Sequence, residues 1–332
     1  MQVTLADLGE KQVIRRLIRS LRSANDTPLP LNDDAQLVLN PGDGVPIVIT
    51  TDRTPSDLRA RKWGLMSNFE YGAYCVGSNI SDIAAMGCAP LGFLLNLAAP
   101  ARLEVSCLQE VLQGVDQALM RLGIKLLGGD TKEGSDLSLV GIALGYRKSA
   151  RVLTRSGVKP GDYVGVSAGH IGLTPAAFRY FGNEWLKDDL SLLPFEQTLR
   201  LSLVEVTPRI SEGLALAADE NCTACIDNSD GIYSSATELA EASNVRIILD
   251  LSMLEPHPAV NAVAQLTEQR WEALALGAGA DYKLIATFSS WPPSTPGFQC
   301  IGHVVKGAGV VVECLTLEQQ LGLSGWTHFK EN

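Results

Sequence analysis

Between Asn68 and Gly87 the chain carries only two charged residues, Glu70 and Asp82. Phe69, Ala73, Val76, Ile80 and Ile83 recur there at steps of four and three, which predicts a helix with one core-facing stripe. The opposite side places Asp82 among Tyr71, Cys75 and Ser78, where a surface helix would carry lysine and glutamate. Such a helix has to be covered on both sides, so the chain must fold in layers around it. A carboxylate held in that position is costly unless something positive meets it, and the stretch contains no Lys or Arg. Two readings follow. Asp82 is a solvated residue on an ordinary amphipathic helix, or it faces a metal ion in company with acids from elsewhere in the chain.

The totals narrow the field. A chain of 332 residues can build two domains with separate cores, and 46% hydrophobic residues with 31 glycines fit a tightly turned α/β protein. A net charge of −10 argues against nucleic acid as a partner. Met1 to Arg16 mixes acids and bases with no apolar core, so no signal peptide is expected. No membrane partner is expected either: the longest apolar run, Leu91 to Ala101, is broken by Asn96 and Pro100. Seven scattered cysteines suit a reducing cytoplasm. Cys222 and Cys225 fall in an expected strand, where residues three apart point to opposite faces, so neither a redox nor a metal role is expected of them. His170, His257, His303 and His328 show no zinc-type spacing.

Along the chain, helices are expected over Leu8–Leu21, the central stretch, Glu104–Leu122, from Pro175, over much of Ser202–Ala218 after Pro208, and from Ser234. Strands are expected near Leu29–Leu39, at Val45–Thr50, Leu91–Leu97, Ile124–Leu127, Leu137–Tyr146, Tyr163–Ser167, Thr223–Ile226, Arg246–Leu249, Leu284–Thr287 and Val310–Glu313. Arg147, Lys148, Arg151, Arg155 and Lys159 then crowd into an otherwise acidic chain, and Pro160-Gly161 makes a turn. The domain boundary is expected there, dividing the chain into 1–148 and 149–332.

Three short apolar strands are expected to stop at small-residue turns bearing aspartate: Thr51-Asp52, Gly129-Asp130 and Asp227-x-Ser229-Asp230-Gly231. In α/β layers, ligands bind at strand ends. With Asp33, Asp34 and Asp82, at least six acids could face one cleft. Two carboxylates about 4 Å apart repel by roughly 4 kcal/mol at an effective dielectric near 20, so the cluster makes sense only with divalent cations. All-oxygen ligands suit Mg²⁺ or Ca²⁺ rather than zinc. Magnesium on aspartates points to phosphate chemistry, yet the P-loop and protein-kinase motifs are absent, and no nucleophile stands beside a base. A phosphate acceptor, with a second pKa near about 6, needs no base at neutral pH.

Taken in order, Asn32-Asp33-Asp34-Ala35, Thr50-Thr51-Asp52, Asn79-Ile80-Ser81-Asp82-Ile83-Ala84-Ala85-Met86-Gly87, Gly128-Gly129-Asp130-Thr131, Thr154-Arg155-Ser156-Gly157, Lys159-Pro160-Gly161-Asp162, Thr207-Pro208-Arg209, Asp227-x-Ser229-Asp230-Gly231 and Gly325-Trp326-Thr327-His328-Phe329 resemble the thiamine-phosphate kinases. These belong to the aminoimidazole ribonucleotide synthase-like (PurM-like) superfamily. The resemblance implies a two-domain α/β fold whose N-terminal sheet pairs across a homodimer, with ATP and several Mg²⁺ ions between the domains. It implies magnesium ligation by Asp34, Thr51, Asp52, Asp82, Asp130, Asp227 and Asp230. ATP contacts are implied for Gly129, Asp130, Arg155 and Ser229. Trp326 is implied in the acceptor pocket.

The departures lie on the acceptor side. The family's Gly-Gly-Glu-Asp-Tyr reads Ala278-Gly279-Ala280-Asp281-Tyr282, and its His-Phe after the Thr-Thr-Asp motif gives way to a basic loop from Arg53 to Lys62 that includes Arg59. Asn32 replaces a usual glycine and Thr327 a usual aspartate. The expected activity is an ATP- and Mg²⁺-dependent kinase acting on a phosphorylated small molecule, with thiamine phosphate the best named acceptor and Ala280 and Arg59 marking an altered pocket. A PurM-like reaction on another metabolite and a lapsed nucleotide-binding protein are the alternatives.

Overall fold

The computed structural model describes residues 45–316 without a break, 33–38, and isolated positions towards both ends (7, 12–14, 28, 29, 319, 320 and 323). Trp326, Asn32 and most of the helix expected over Leu8–Leu21 lie outside the described residues. The first half contains β1 (Gln36–Val38), β2 (Ile47–Thr54), α1 (Arg59–Lys62), α2 (Asn68–Ala85), β3 (Cys88–Ala99), α3 (Val105–Arg121), β4 (Leu126–Glu133) and β5 (Ser138–Arg147). Its sheet runs β1-β2-β5-β3-β4. Pairing is antiparallel except between β3 and β4, which are parallel and joined through α3.

The second half contains β6 (Tyr163–Ser167), α4 (Leu173–Phe181), α5 (Glu184–Lys187), α6 (Glu196–Val204), α7 (Ile210–Ala218), β7 (Cys222–Asp227), α8 (Ile232–Ser243), β8 (Arg246–Leu249), α9 (Pro258–Leu266), α10 (Trp271–Leu276), β9 (Leu284–Phe288), β10 (Phe298–Val305) and β11 (Gly309–Val312). Its sheet runs β11-β8-β10-β6-β9-β7. The architecture is the expected α/β one, with two mixed and mostly antiparallel sheets.

Helix α2 is the pivot. Ser67 and Glu70 close a capping box at its start, each side chain taking a backbone N–H of the other residue. One face, with Val76, Ile80 and Ile83, joins Phe93, Leu139 and Ala143 of the first sheet in a single apolar cluster. The other meets α7 and β7 of the second half, so the expected double covering is present and Ser78, Asn79 and Ser81 are buried. Its crossing with α3 is close enough to need glycine on both helices. A Cβ on Gly72 would stand 2.0 Å from the Val111 carbonyl oxygen, and one on Gly114 1.9 Å from that of Phe69.

Two strand boundaries and one strand register differ from expectation in ways that matter. Strand β2 does not end at Thr50: Thr51, Asp52, Arg53 and Thr54 continue to pair with Ile142, Gly141, Val140 and Leu139 of β5. Likewise Gly128-Gly129-Asp130-Thr131 is the middle of β4, paired along β3. Hydrophobic runs mark where a strand is buried, whereas backbone pairing carries it on through polar residues. Third, the register of β7 slips between Cys222 and Ala224. This bulge brings Cys222 and Cys225 into the same buried cluster with Leu284, Ala286 and Phe288, against the alternation expected of a regular strand. Both remain free thiols, and burial pushes the Cys222 thiol up to about 12.

Gly114→Ala should destabilise the protein by about 1–3 kcal/mol, because the clash is with backbone rather than with a movable side chain. Urea unfolding monitored by circular dichroism measures it, and a change below about 0.5 kcal/mol would contradict this packing.

Candidate active site

Three elements distant in sequence bring carboxylates together. Asp34 lies just before β1, Asp82 projects from α2, and Asp227 is the last residue of β7. Their oxygens lie within 4.8 Å of one another. Asp34 and Asp227 are buried and Asp82 is half-buried. Hydroxyl groups hold two of them in place: Thr50 Oγ1 donates to Asp82 Oδ2 at 2.8 Å, and Ser81 Oγ donates to Asp227 Oδ2 at 2.6 Å. The latter bond joins α2 to the second sheet. Asn79 Oδ1 accepts the Asp52 backbone N–H at 2.8 Å, which ties β2 to the same helix.

Arg155 supplies the counter-charge to one member. Its Nε reaches Asp34 Oδ1 at 3.1 Å, and its other nitrogens pair with Asp34 and Glu238. The second oxygen of Asp34 is buried without a hydrogen-bond partner. Among the described residues, no lysine or arginine forms an ion pair with Asp82 or Asp227.

The electrostatics follow from this crowding. Burial, then the neighbouring Asp227, Asp34 and Asp52, raises Asp82 well above the usual carboxylate range. Burial and Asp34 push Asp227 up to about 7. Burial raises Asp34 as well, against the pull of Arg155, and burial followed by Asp34 brings Asp33 to about 6. An orphaned buried carboxylate oxygen beside two more carboxylates is a donor set that fits a hard divalent cation.

The remaining expected residues divide. Asp230 is half-buried in the turn after β7 and adds to the charge felt by Asp227. Gly231 ends that turn at φ +112°, where a Cβ would lie 2.4 Å from the Gly277 carbonyl oxygen. Ser229 is exposed on the same turn. Asp52 shares the helix-facing side of β2 with Thr50.

Thr51 and Asp130 are not in the cluster. Thr51 points to the uncovered face and donates to the Gly141 carbonyl at 2.9 Å. Asp130 is exposed on β4 beside Lys132, at 3.7 Å. Asp52, Gly141, Leu95 and Gly129 are in register across the sheet, so β2 and β4 are three strands, or about 14 Å, apart. The expectation that both sit at strand ends beside Asp82 fails because both strands continue.

Arg59 stands over the Phe178 ring, 5.2 Å from its centroid. It opens on a cavity of about 700 Å³ lined also by Trp63, Phe178, Arg179, Arg270 and Ala278. Ala280 directs its carbonyl to Thr174 Oγ1. Thr50, Ser81, Asn79 and Glu238 were not anticipated in the site. Asn79 and Ser81 could have been, since polar residues on a helix covered on both sides need partners. Thr50 and Glu238 left no such mark.

The family profile described as AIR synthase related protein, N-terminal domain, matches residues 32–146. Thiamine-monophosphate kinase of Mycobacterium tuberculosis is 32% identical over 332 residues, 99% of this chain and 94% of that protein. The chain belongs to the thiamine-monophosphate kinase family. The family's member from Pyrococcus horikoshii is 30% identical over 80% of this chain and 81% of its own. Among solved structures, AaThiL complexed with AMPPCP and TMP superposes with a TM-score of 0.82 at 25% identity, covering 99% of each chain. No described helix is long and apolar enough to cross a membrane.

The acid cluster makes stability depend on pH and on cations. Because the folded-state pKa of Asp227 is raised from 3.8 to about 7, the folded protein holds a proton that the unfolded chain has released. Stability therefore falls as pH rises between those values. Scanning calorimetry should show millimolar Mg²⁺ raising Tm by several degrees near about pH 8 and by much less near about pH 5.5. Equal shifts at both would contradict this coupling.

Proposed function

We propose that the protein transfers the γ-phosphoryl group of ATP to the phosphate of thiamine phosphate, forming thiamine diphosphate and ADP. The convergence of Asp34, Asp82 and Asp227 in a chain of this family carries the reading. The relatives lend no support to a different acceptor or a lapsed site.

In this reading Asp34, Asp82 and Asp227, with Asp52 and Asp230, hold Mg²⁺. Bound there, it would neutralise charge on the triphosphate and on the oxygens that exchange the phosphoryl group. Arg155 and Ser229 contact ATP from this chain, and Gly129, next to Asp130 on β4, from a second copy. With a cation held by Asp34, Arg155 would be left to meet the nucleotide's negative charge. The acceptor phosphate is already mostly ionised at neutral pH, so the residues around it position and exclude water rather than remove a proton. The cavity beside Arg59 receives the acceptor, and the family resemblance adds Trp326 and position 280 as acceptor contacts. We assign 1–148 and 149–332 as the two domains. We place the reaction in the cytoplasm, which suits seven free thiols.

We also propose a homodimer. The face of the first sheet away from α2 exposes Ile47, Ile49, Leu94, Val140, Ile142 and Leu144 in part, an apolar surface suited to a second copy. Thr51 and Asp130 lie on this face. Pairing of two such faces would set the partner's Asp130 beside Thr51, where the two would hold a further Mg²⁺ on the side of β2 away from Asp52.

Following thiamine diphosphate formation by chromatography, Asp82→Asn and Asp227→Asn should each lower kcat by at least about 100-fold. Wild-type protein that makes no thiamine diphosphate would overturn the reading. Co-refolding inactive Asp82→Asn with inactive Asp130→Asn should restore about a quarter of wild-type activity: half the dimers are mixed, and each has one intact site of two. No restoration would place Asp130 in its own chain's site, and an active Asp130→Asn variant would place it in none.

A further inference from the structure

Tyr74 and Tyr282 meet across the cleft. Tyr74 lies on α2, seven residues before Ser81 and so on the side that faces the second half. Tyr282 ends the loop that follows α10. Their hydroxyl oxygens are 2.9 Å apart, and the rings stand edge to face at 82° with centroids 5.9 Å apart. Tyr282 is buried and Tyr74 half-buried.

The loop that presents Tyr282 is tied down on both sides. Asp281 accepts the backbone N–H groups of Gly172 and Thr174 at the start of α4, and the Tyr282 N–H donates to the Asn228 carbonyl at 3.0 Å. Tyr282 itself adopts φ +47°, a left-handed conformation that is uncommon for a bulky side chain. Such a conformation persists where the surroundings fix it, and these are often functional positions.

Each phenol has one proton to give. The bond between the two hydroxyls consumes one, and among the described residues no acceptor meets the other. Burial raises both phenols, Tyr74 to about 12, and Asp52 and Asp227 add to the effect on each. Both groups therefore remain donors at any working pH, and the carbonyl that accepts the Tyr282 N–H belongs to Asn228, the residue after Asp227. Magnesium-bound phosphate oxygens held by the carboxylates are acceptors that would meet the spare proton.

We propose that the Tyr74–Tyr282 hydroxyl pair donates one hydrogen bond to a phosphoryl oxygen during transfer, the proton staying on the tyrosine. This rests on the kinase reading above. It adds a neutral donor beside the carboxylates and Arg155. Its value lies in direction: a fixed O–H dipole meets charge as it develops and needs no reorganisation.

Tyr74→Phe, Tyr282→Phe and the double variant test it, with thiamine phosphate and Mg-ATP as substrates. At least one single variant should lose about 10- to 100-fold in kcat, with both KM values and Tm nearly unchanged. The double variant should be little worse than the weaker single, since the two hydroxyls act as one donor. Should all three keep kcat within about twofold of wild type, or should the loss appear in KM or Tm instead, the assignment is wrong. Inactive wild type would remove the kinase reading and this inference together, whereas active wild type with unaffected variants removes this inference alone.

Discussion

Three carboxylates within 4.8 Å of one another repel, and the rest of the structure can be read as what holds them there. Asp34, Asp82 and Asp227 come from the segment before β1, from α2 and from the end of β7, so no local turn forces them together. The fold does so by sandwiching α2 between two sheets. Each hydroxyl bond in the cluster spans separate elements, Thr50 to Asp82 within the first half and Ser81 to Asp227 between halves. The close crossing of α2 and α3 and the burial of Val76, Ile80 and Ile83 fix the helix that carries Asp82. Packing free energy is thereby used to oppose electrostatic repulsion, which leaves a site that gains stability when cations enter.

The chemistry accords with that design. A phosphate acceptor brings its own nucleophilic oxygen, so the protein need not supply a base. It must suppress the mutual repulsion of a triphosphate, an attacking phosphate and the carboxylates. Cations on Asp34, Asp82 and Asp227 would do this, with Arg155 free to turn from Asp34 to the nucleotide. The raised Asp82 and Asp227 describe the protein before cations bind, when protons are what moderate the repulsion.

Much of this was legible in the residues. The charge-poor stretch from Asn68 to Gly87 announced a helix covered on both sides, and the Asp-bearing motifs announced an acid cluster. Asp227 does end its strand, and the turn after it needs Gly231. Thr51 and Asp130 lie within their strands and not at the ends, because hydrophobicity stops before the strand does. Pairing with β5 and β3 is a property of the partner strands and leaves no trace in the local sequence. The bulge at Cys222 was hidden for the same reason. Tyr74 and Tyr282 lie far apart in the chain, and only the fold makes them neighbours.

Crystals grown with Mn²⁺ in place of Mg²⁺ and a non-hydrolysable ATP analogue provide the most direct test, because manganese scatters anomalously and favours the same oxygen ligands. The account predicts anomalous peaks bounded by the carboxylates of Asp34, Asp82 and Asp227, with Arg155 turned towards the nucleotide. Anomalous density absent from that position, with Asp34 still paired to Arg155 in the nucleotide complex, would contradict it.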